Sequence, residues 1–380
     1  MSCVTLDVMV YSSRIRAGIG AIKRCFDELS LCAQDSCFHE HGMHNAAENA
    51  PLVLVACSGG RDSLALVALT AIVCASRGLR CGVVIVDHHM QPHSTQVARE
   101  AAKRCTQAGI SEQYVFIQSV QVTNSGKGEE SAARDVRYHA IIEVAQRQQA
   151  AVVLLAHTAN DQAETVLIGL KDSAGLEAVA GMKAITFREN VQFARPFIEL
   201  TREQTTGICE DLGISWWDDP TNGDTLEQNL ELGENYPLRS RIRHTLMPYI
   251  SRFLHANMVT LLSRGATLAQ DDLDYINAQV DATIPQVMFV DTTAQSVTLH
   301  AEQLAQYHPS IRRRIIARAL TAVSLRFSSS HVQAIDELSV NWHGQKPFSL
   351  PNHYEAVRRN HRIVIRLCKD SEHANCRYTR

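Results

Sequence analysis

From residue 51 onward, short continuous apolar runs alternate with longer stretches of helical period. Leu52–Ala56 is a valine-rich run that stops at Cys57-Ser58-Gly59-Gly60, and an apolar helix is expected over Ser63–Ser76. Cys81–Val86 predicts a second buried strand, Ser94–Ala108 a helix, Gln113–Gln118 a strand and Glu129–Gln148 a helix. Val152–Ala156 gives another apolar run, followed by a helix over Asp161–Lys171. A strand that is apolar at every position is covered on both faces, which is the habit of parallel sheets. Strands alternating with helices predict βαβ units and a doubly wound, mostly parallel α/β sheet.

The flanking regions follow other patterns. Ile15, Ile19, Ile22 and Phe26 keep helical spacing. The stretch Cys32–His44 then collects Cys32, Cys37, His39, His41 and His44 at spacings that fit no zinc pattern, so it reads as a polar linker. Thr221–Asn235 is polar and acidic and reads as a surface loop or insertion. A basic helix is expected over Leu238–Phe253, and a helical stretch over Ala256–Gln279. Beyond it come strands at Met288–Val290 and Ser296–Leu299, helices at Ser310–Val323 and Ser330–Asn341, and closing strands. The expected organisation is an N-terminal extension over 1–50 and an α/β domain over 51–250. A helical linker and a smaller α+β C-terminal domain follow over 251–380.

Composition sharpens this picture. A chain of 380 residues, 45% hydrophobic and 20% charged, has the material for two or three packed domains and excludes a disordered protein. No apolar stretch is long enough to span a membrane, and the first residues lack a secretory layout. The 11 cysteines form no framework and no Cys-x-x-Cys, which suits reduced thiols in the cytoplasm. Net charge is only −3, but residues 301–380 hold 13 Lys and Arg against 6 Asp and Glu, an excess of +7. A basic end on an acidic body suggests a polyanionic partner there.

Four segments carry candidate chemistry. Ser58-Gly59-Gly60-Arg61-Asp62-Ser63 joins a strand to a helix. Helix-opening N–H groups lack intrahelical partners and carry the positive end of the dipole, so such a loop is built to cradle phosphate. Two glycines admit close backbone approach. Val86-Asp87-His88-His89 ends the second strand. Glu130 and Arg134 lie one helical turn apart, with Arg137-Tyr138 following; by spacing alone this pair could be a surface ion pair. His157-Thr158-Ala159-Asn160-Asp161-Gln162-Ala163-Glu164-Thr165 follows the Val152–Ala156 strand and sets Asp161 and Glu164 on one helix face.

The hexapeptide resembles the Ser-Gly-Gly-x-Asp-Ser loop of the ATP pyrophosphatase (PP-loop) superfamily, which cleaves ATP between its α and β phosphates. The other segments resemble tRNA(Ile)-lysidine synthases: Val-Asp-His-Gly, with His89 in place of glycine; Glu-x-x-x-Arg-x-x-Arg-Tyr; and His-x-x-Asp-Asp-Gln-x-Glu-Thr, with Asn160 in place of the first aspartate. The resemblance continues through Gly175-Leu176 to Gly181-Met182, Arg195-Pro196, Trp216 to Asn222, and Arg239-Ser240-Arg241-Ile242-Arg243-His244. It is strong over residues 51–250 and weaker beyond.

The resemblance implies a PP-loop, Rossmann-like fold and an enzyme that converts the wobble cytidine of a minor isoleucine tRNA to lysidine, using ATP and free L-lysine. It implies ATP binding by Ser58, Gly59, Gly60, Arg61, Asp62 and Ser63, with Asp62 also expected to hold Mg2+. Asp62, Asp161 and Glu164 are the expected catalytic carboxylates. Glu130, Arg134, Arg137, His157, Arg195, Arg241 and Arg243 are expected to face lysine or tRNA. The expected setting is cytoplasmic, off the membrane, and a homodimer is allowed for. A tRNA thiolase or a small-molecule amidating enzyme of the same superfamily stays open, as does a non-catalytic RNA-binding protein.

Overall fold

The computed structural model describes residues 11–39, 45–89, 94–121, 129–173, 175–219, 232–234 and 236–368. The chain divides into two compact units, Met1–Gln270 and Asp271–Arg380.

The first unit is built on a six-stranded sheet. Its strands are β1 (Leu52–Ala56), β2 (Arg80–Asp87), β3 (Val115–Ser119), β4 (Val152–Leu154), β5 (Ile185–Arg188) and β6 (Val191–Ala194), in the order β3-β2-β1-β4-β6-β5. All neighbours are parallel except β5 and β6, so the expected mostly parallel sheet is present. The β5–β6 hairpin is not signalled by the hydrophobic pattern of the chain. Its two turn residues, Glu189 and Asn190, have φ of +49° and +64°, the primed-turn conformation that matches strand twist. Glutamate seldom takes that conformation, so the local signal is weak.

Helices cover both sheet faces. They are α1 (Ser13–Glu28), α2 (Arg61–Arg77), α3 (Ser94–Gln107), α4 (Glu129–Arg147), α5 (Ala159–Asp172), α6 (Leu176–Val179) and α7 (Arg202–Asp211). Val53, Val55, Val83 and Ile85 point into one core with α1, α2, α3 and α7. Leu52, Leu54, Val84 and Val153 point into another with Ile141, Ile142 and Ala145 of α4. The two-residue period of a strand thus sends alternate residues to opposite cores, which is why β1 and β2 are apolar throughout. Ile15, Ile22 and Phe26 of α1 are buried in the first core. The segment after α1 is tied to the end of α2: Arg77 donates to the Leu31 carbonyl at 2.8 Å, and Phe38 packs beneath Gly78. His41, His44 and most of the acidic segment 221–235 lie outside the described residues.

A basic helical stretch follows: α8 (Leu238–Arg241), a π turn (Ile242–Leu246) and α9 (Met247–Phe253). The long α10 (Met258–Val287) leads into the second unit. There β7 (Met288–Asp291), β8 (Ser296–His300), β9 (Phe348–Leu350), β10 (Tyr354–Arg359) and β11 (Arg362–Leu367) form an antiparallel sheet in the order β7-β8-β11-β10-β9. The helices α11 (Ala301–Ala305), α12 (Pro309–Ala322) and α13 (Ser329–Val340) pack against it through Leu304, Ile315, Leu320 and Ile335.

Helix α5 sits hard against α6: a Cβ added at Gly169 would lie 2.2 Å from the Ala178 carbonyl oxygen. That oxygen is backbone and cannot swing aside. Gly169→Ala should therefore destabilise the first unit by about 1–3 kcal/mol, the usual cost of overpacking. A thermal melt checks this, and an unchanged melting temperature would show that the two helices can separate freely.

Candidate active site

Strands β1, β2 and β3 succeed one another in one direction across the sheet, whereas β4 and β6 lie on the other side of β1. The order therefore reverses between β1 and β4, and their carboxyl ends open the crevice where doubly wound sheets bind ligands. The two most specific sequence segments leave these two strand ends.

After β1 the chain turns through Ser58–Gly60 into α2. Gly59 has φ of +82°, a conformation that favours glycine, and a Cβ there would crowd Ala101 at 3.0 Å. Ser63 organises the turn: its hydroxyl accepts from the Ser58 N–H at 3.2 Å and donates to the Gly60 carbonyl at 2.9 Å. Gly60 is the N-cap of α2 and supplies no side-chain cap. The first-turn N–H groups thus face the crevice end of the helix with its positive dipole. Arg61 is turned aside to Asp218 at 3.2 Å, which also accepts from the Trp216 indole at 3.1 Å.

After β4, Thr158 caps α5. Asp161 Oδ2 accepts from both the Thr158 N–H and the Thr158 hydroxyl at 2.8 Å, a capping box with aspartate in the usual glutamate role. Its other oxygen accepts from Arg202 Nη2 at 3.1 Å. Glu164, one turn on and 1% exposed, is held by Arg243 through two bonds of 2.8 and 3.2 Å. Arg202 also lies 3.4 Å from Asp62 Oδ2 and 3.7 Å from Glu164 Oε1, and Thr205 donates to Asp62 Oδ1. Asp62, Asp161, Glu164 and Arg243 therefore meet around Arg202.

Arg202 and Thr205 were not picked out from the sequence. Thr201-x-x-Gln204 does read as a capping box and does open α7. It places Arg202 in the first turn, but nothing in one sequence aims that turn at the crevice. The aim comes from Asn160, whose side-chain oxygen accepts from the Arg202 N–H at 2.9 Å.

The remaining candidates spread outward. His157 Nδ1 accepts from Arg195 Nε at 3.2 Å, and Arg195 is anchored to the Lys183 carbonyl at 2.7 Å. Arg137 Nε lies 3.1 Å from His88 Nε2, and Arg134 sits over the Tyr138 ring at 5.7 Å. Arg239 donates to Thr165 at 3.2 Å. Arg241 is half-buried, and its backbone N–H donates to the Pro237 carbonyl at 3.1 Å. The Glu130 side chain lies outside the described residues. His89 stands with φ of +52°, so the position where related loops carry glycine is a left-handed one, and here histidine adopts it. Gln162 clamps the following loop by exchanging bonds of 2.7 and 2.9 Å with the Met182 backbone.

Burial raises the Asp62 carboxyl above its ordinary range, against the pull of Arg202 and Thr205. Burial works the same way on Asp161, but Arg202, His157 and the Thr158 N–H outweigh it and bring the group from 3.8 to about 2. His157 is driven down to about 4 by burial despite Asp161, so it is neutral at pH 7. His88 falls to about 4 through burial and Arg137.

A carboxyl with a lowered folded pKa stabilises the fold fully above its unfolded value and loses that contribution as pH falls through the folded one. For Asp161 the window runs from about pH 4 down to about pH 2, and the contribution is on the order of 2 kcal/mol. The stability gap between wild type and Asp161→Asn should thus narrow as pH is lowered from 5 to 2.5. Denaturant titrations at a series of pH values test it; a gap independent of pH would assign the effect to packing.

Residues 37–250 match the PP-loop domain family, and residues 299–364 match the TilS substrate binding domain. The chain is 45% identical to the tRNA(Ile)-lysidine synthase of Bifidobacterium longum over 393 residues, covering 97% of this chain and 100% of that protein. It is 36% identical to the tRNA(Ile)-lysidine synthase of Streptomyces coelicolor, covering 83% of this chain and 86% of the relative. Among solved structures, the U34-tRNA thiolase NcsA from Methanococcus maripaludis aligns at 14% identity and a TM-score of 0.46, over 66% of this chain and 79% of its own. The full-length relatives do not favour a thiolase or an amidating enzyme. With both domains matched in order and the identity running nearly end to end, the chain belongs to the tRNA(Ile)-lysidine synthase family.

Proposed function

We propose that this chain joins the ε-amine of L-lysine to C2 of the wobble cytidine of an isoleucine tRNA with a CAU anticodon, with ATP as the activating substrate. The observation that carries this reading is the meeting of the loop carboxylate Asp62 with Asp161 and Glu164 around Arg202, across the switch point of the sheet. One end suits a nucleotide phosphate and the other an ammonium.

In the first step the C2 carbonyl oxygen of cytosine attacks the α-phosphorus of ATP and pyrophosphate leaves. The loop Ser58–Ser63 and the start of α2 hold the phosphates through N–H groups and hydroxyls. In the second step the neutral amine attacks C2, and AMP departs with the former carbonyl oxygen. Adenylation is needed because an oxygen bound only to carbon is a poor leaving group. Asp161, at about 2, is too weak a base for the ammonium proton and instead attracts the charge. Glu164 is assigned the proton.

Among the described residues no three His, Cys, Asp or Glu side chains group as a metal site, so Mg2+ is assigned to a single carboxylate together with the phosphate oxygens of the nucleotide, the setting in which that ion is commonly held. Asp62 would hold the ion, which when bound would offset phosphate charge. Arg134, Arg137, Arg195 and Arg241 are assigned to the tRNA or lysine. The setting is cytoplasmic in this reading; among the described residues no helix is long and apolar enough to cross a membrane.

The second unit is assigned to tRNA phosphates. Arg359 and Arg362 are both exposed and face each other across β10 and β11, although like charges opposite one another are destabilising. An anionic partner would relieve that pair. By contrast, Arg312 is turned inward onto the buried Asp336 and is withdrawn from any such role.

Three outcomes are expected. Asp62→Ala should lower formation of AMP and pyrophosphate by about 100-fold or more, read by thin-layer separation of labelled nucleotide; products of ADP and phosphate from the wild type would refute the reading. Glu164→Gln should raise the KM for lysine well above its effect on the KM for ATP, and a defect confined to ATP would reverse the assignment. Replacing Arg359 and Arg362 by Gln should lower the slope of log tRNA affinity against log salt by about 0.7–0.9 per lost contact. A filter-binding salt series tests this, and an unchanged slope would remove the pair from the RNA surface.

A further inference from the structure

Resting on the reading just given, we infer that Arg202 obstructs the lysine site and that bound nucleotide draws it away. The two carboxylates assigned to the amine are already occupied by guanidinium groups. An incoming ammonium must displace one of them, since Asp161 and Glu164 are nearly buried and have little free perimeter.

The geometry says which one yields. Arg243 grips Glu164 through two bonds of 2.8 and 3.2 Å, the bidentate fork that guanidinium and carboxylate make best. Arg202 instead divides its contacts, at 3.1, 3.4 and 3.7 Å, among three different carboxylates and forms no such fork with any of them. Among the described residues it alone touches both the amine end and Asp62 beside the phosphate loop. Its backbone is fixed by the Thr201 capping box and by Asn160 at 2.9 Å, so any release is a swing of the side chain and not of the loop.

A triphosphate on the loop changes the competition at this position. It brings several negative charges to the Asp62 end, and guanidinium binds phosphate oxygens in the same forked manner as carboxylate. Arg202 would turn to the phosphate and uncover Asp161 and the near side of Glu164. Nucleotide and lysine then bind with positive coupling, and by linkage the effect is reciprocal. The consequence is that each substrate is held more tightly where the other is already bound, so the amine accumulates beside the activating nucleotide. Arg202 acts here as a positioning residue, through the carboxylates it covers.

The test uses the full-length protein, radiolabelled L-lysine and α,β-methylene-ATP with Mg2+, in equilibrium dialysis. In the wild type the analogue should tighten lysine binding about 5–150-fold, and lysine should tighten analogue binding by the same factor. In Arg202→Gln and Arg202→Lys the factor should fall toward one, with lysine binding in the absence of nucleotide raised. Lysine retains a charge but cannot span both ends of the cluster, so it separates coupling from simple charge loss. A melting curve for each variant confirms that it is folded at the assay temperature. A wild-type factor of one, or a factor preserved in both variants, would overturn the inference. Failure of the wild type to form lysidine from tRNA, ATP and lysine would instead overturn the reading of the site on which the inference rests.

Discussion

Three carboxylates can share one nearly buried crevice only if positive charge is built in with them. Like charges at this spacing drive one another toward protonation in a medium of low dielectric constant. Arg202 is the group that makes the arrangement tenable, because it is the common neighbour of Asp62, Asp161 and Glu164. The balance is uneven along the crevice. Asp161 is held at about 2, whereas Asp62 is pushed upward by burial. Asp161 is therefore ionised at neutral pH, whereas at Asp62 burial outweighs Arg202 and Thr205.

The position of Arg202 depends in turn on elements far apart in the chain. Helix α7 starts where it does because Thr201 and Gln204 cap it and Asn160 takes the next N–H. Asn160 belongs to α5, which leaves β4, while Asp62 belongs to α2, which leaves β1. The parallel pairing of Val53–Val55 with Val152–Leu154 is what sets those two helix starts side by side. Arg243 arrives from a third direction. Ile242 and Met247 are both buried although five apart, a spacing that an α-helix would rotate by about 140°. The π turn brings both onto the core side, and Arg243 within that turn reaches Glu164.

Much of the fold was legible because its strands are short, apolar and bounded by turn residues. Leu52–Ala56 was found at its observed limits and α2 to α5 within a few residues, whereas α6, α7 and α11 were not foreseen and α10 runs on past Gln279 to Val287. The hairpin β5–β6 was not, since Glu189-Asn190 is a poor signal for a turn with two positive φ values. The candidate site was legible where its residues lie in contiguous motifs, as with Asp62, Asp161 and Glu164, which the fold brings together around Arg202. It was illegible at Arg202 and Thr205, whose part depends on which helix end faces which strand. Three consecutive arginines, Arg312 to Arg314, illustrate the same limit. A helix sends neighbours in different directions, and only the structure shows that Arg312 goes inward to Asp336.

Asn160 shows how a departure from a motif can leave geometry intact while changing charge. Its side-chain oxygen accepts the Arg202 N–H at 2.9 Å, a bond an aspartate oxygen could make equally well. An aspartate there would set four carboxylates against Arg202 and Arg243. The amide keeps the hydrogen bond and removes one negative charge, so Arg202 is held by fewer competitors. Fewer competitors mean a guanidinium that is easier to draw toward a phosphate. The replacement is therefore conservative for the fold of α7 and consequential for the electrostatics of the crevice, because backbone N–H groups need only an acceptor whereas guanidinium groups respond to net charge.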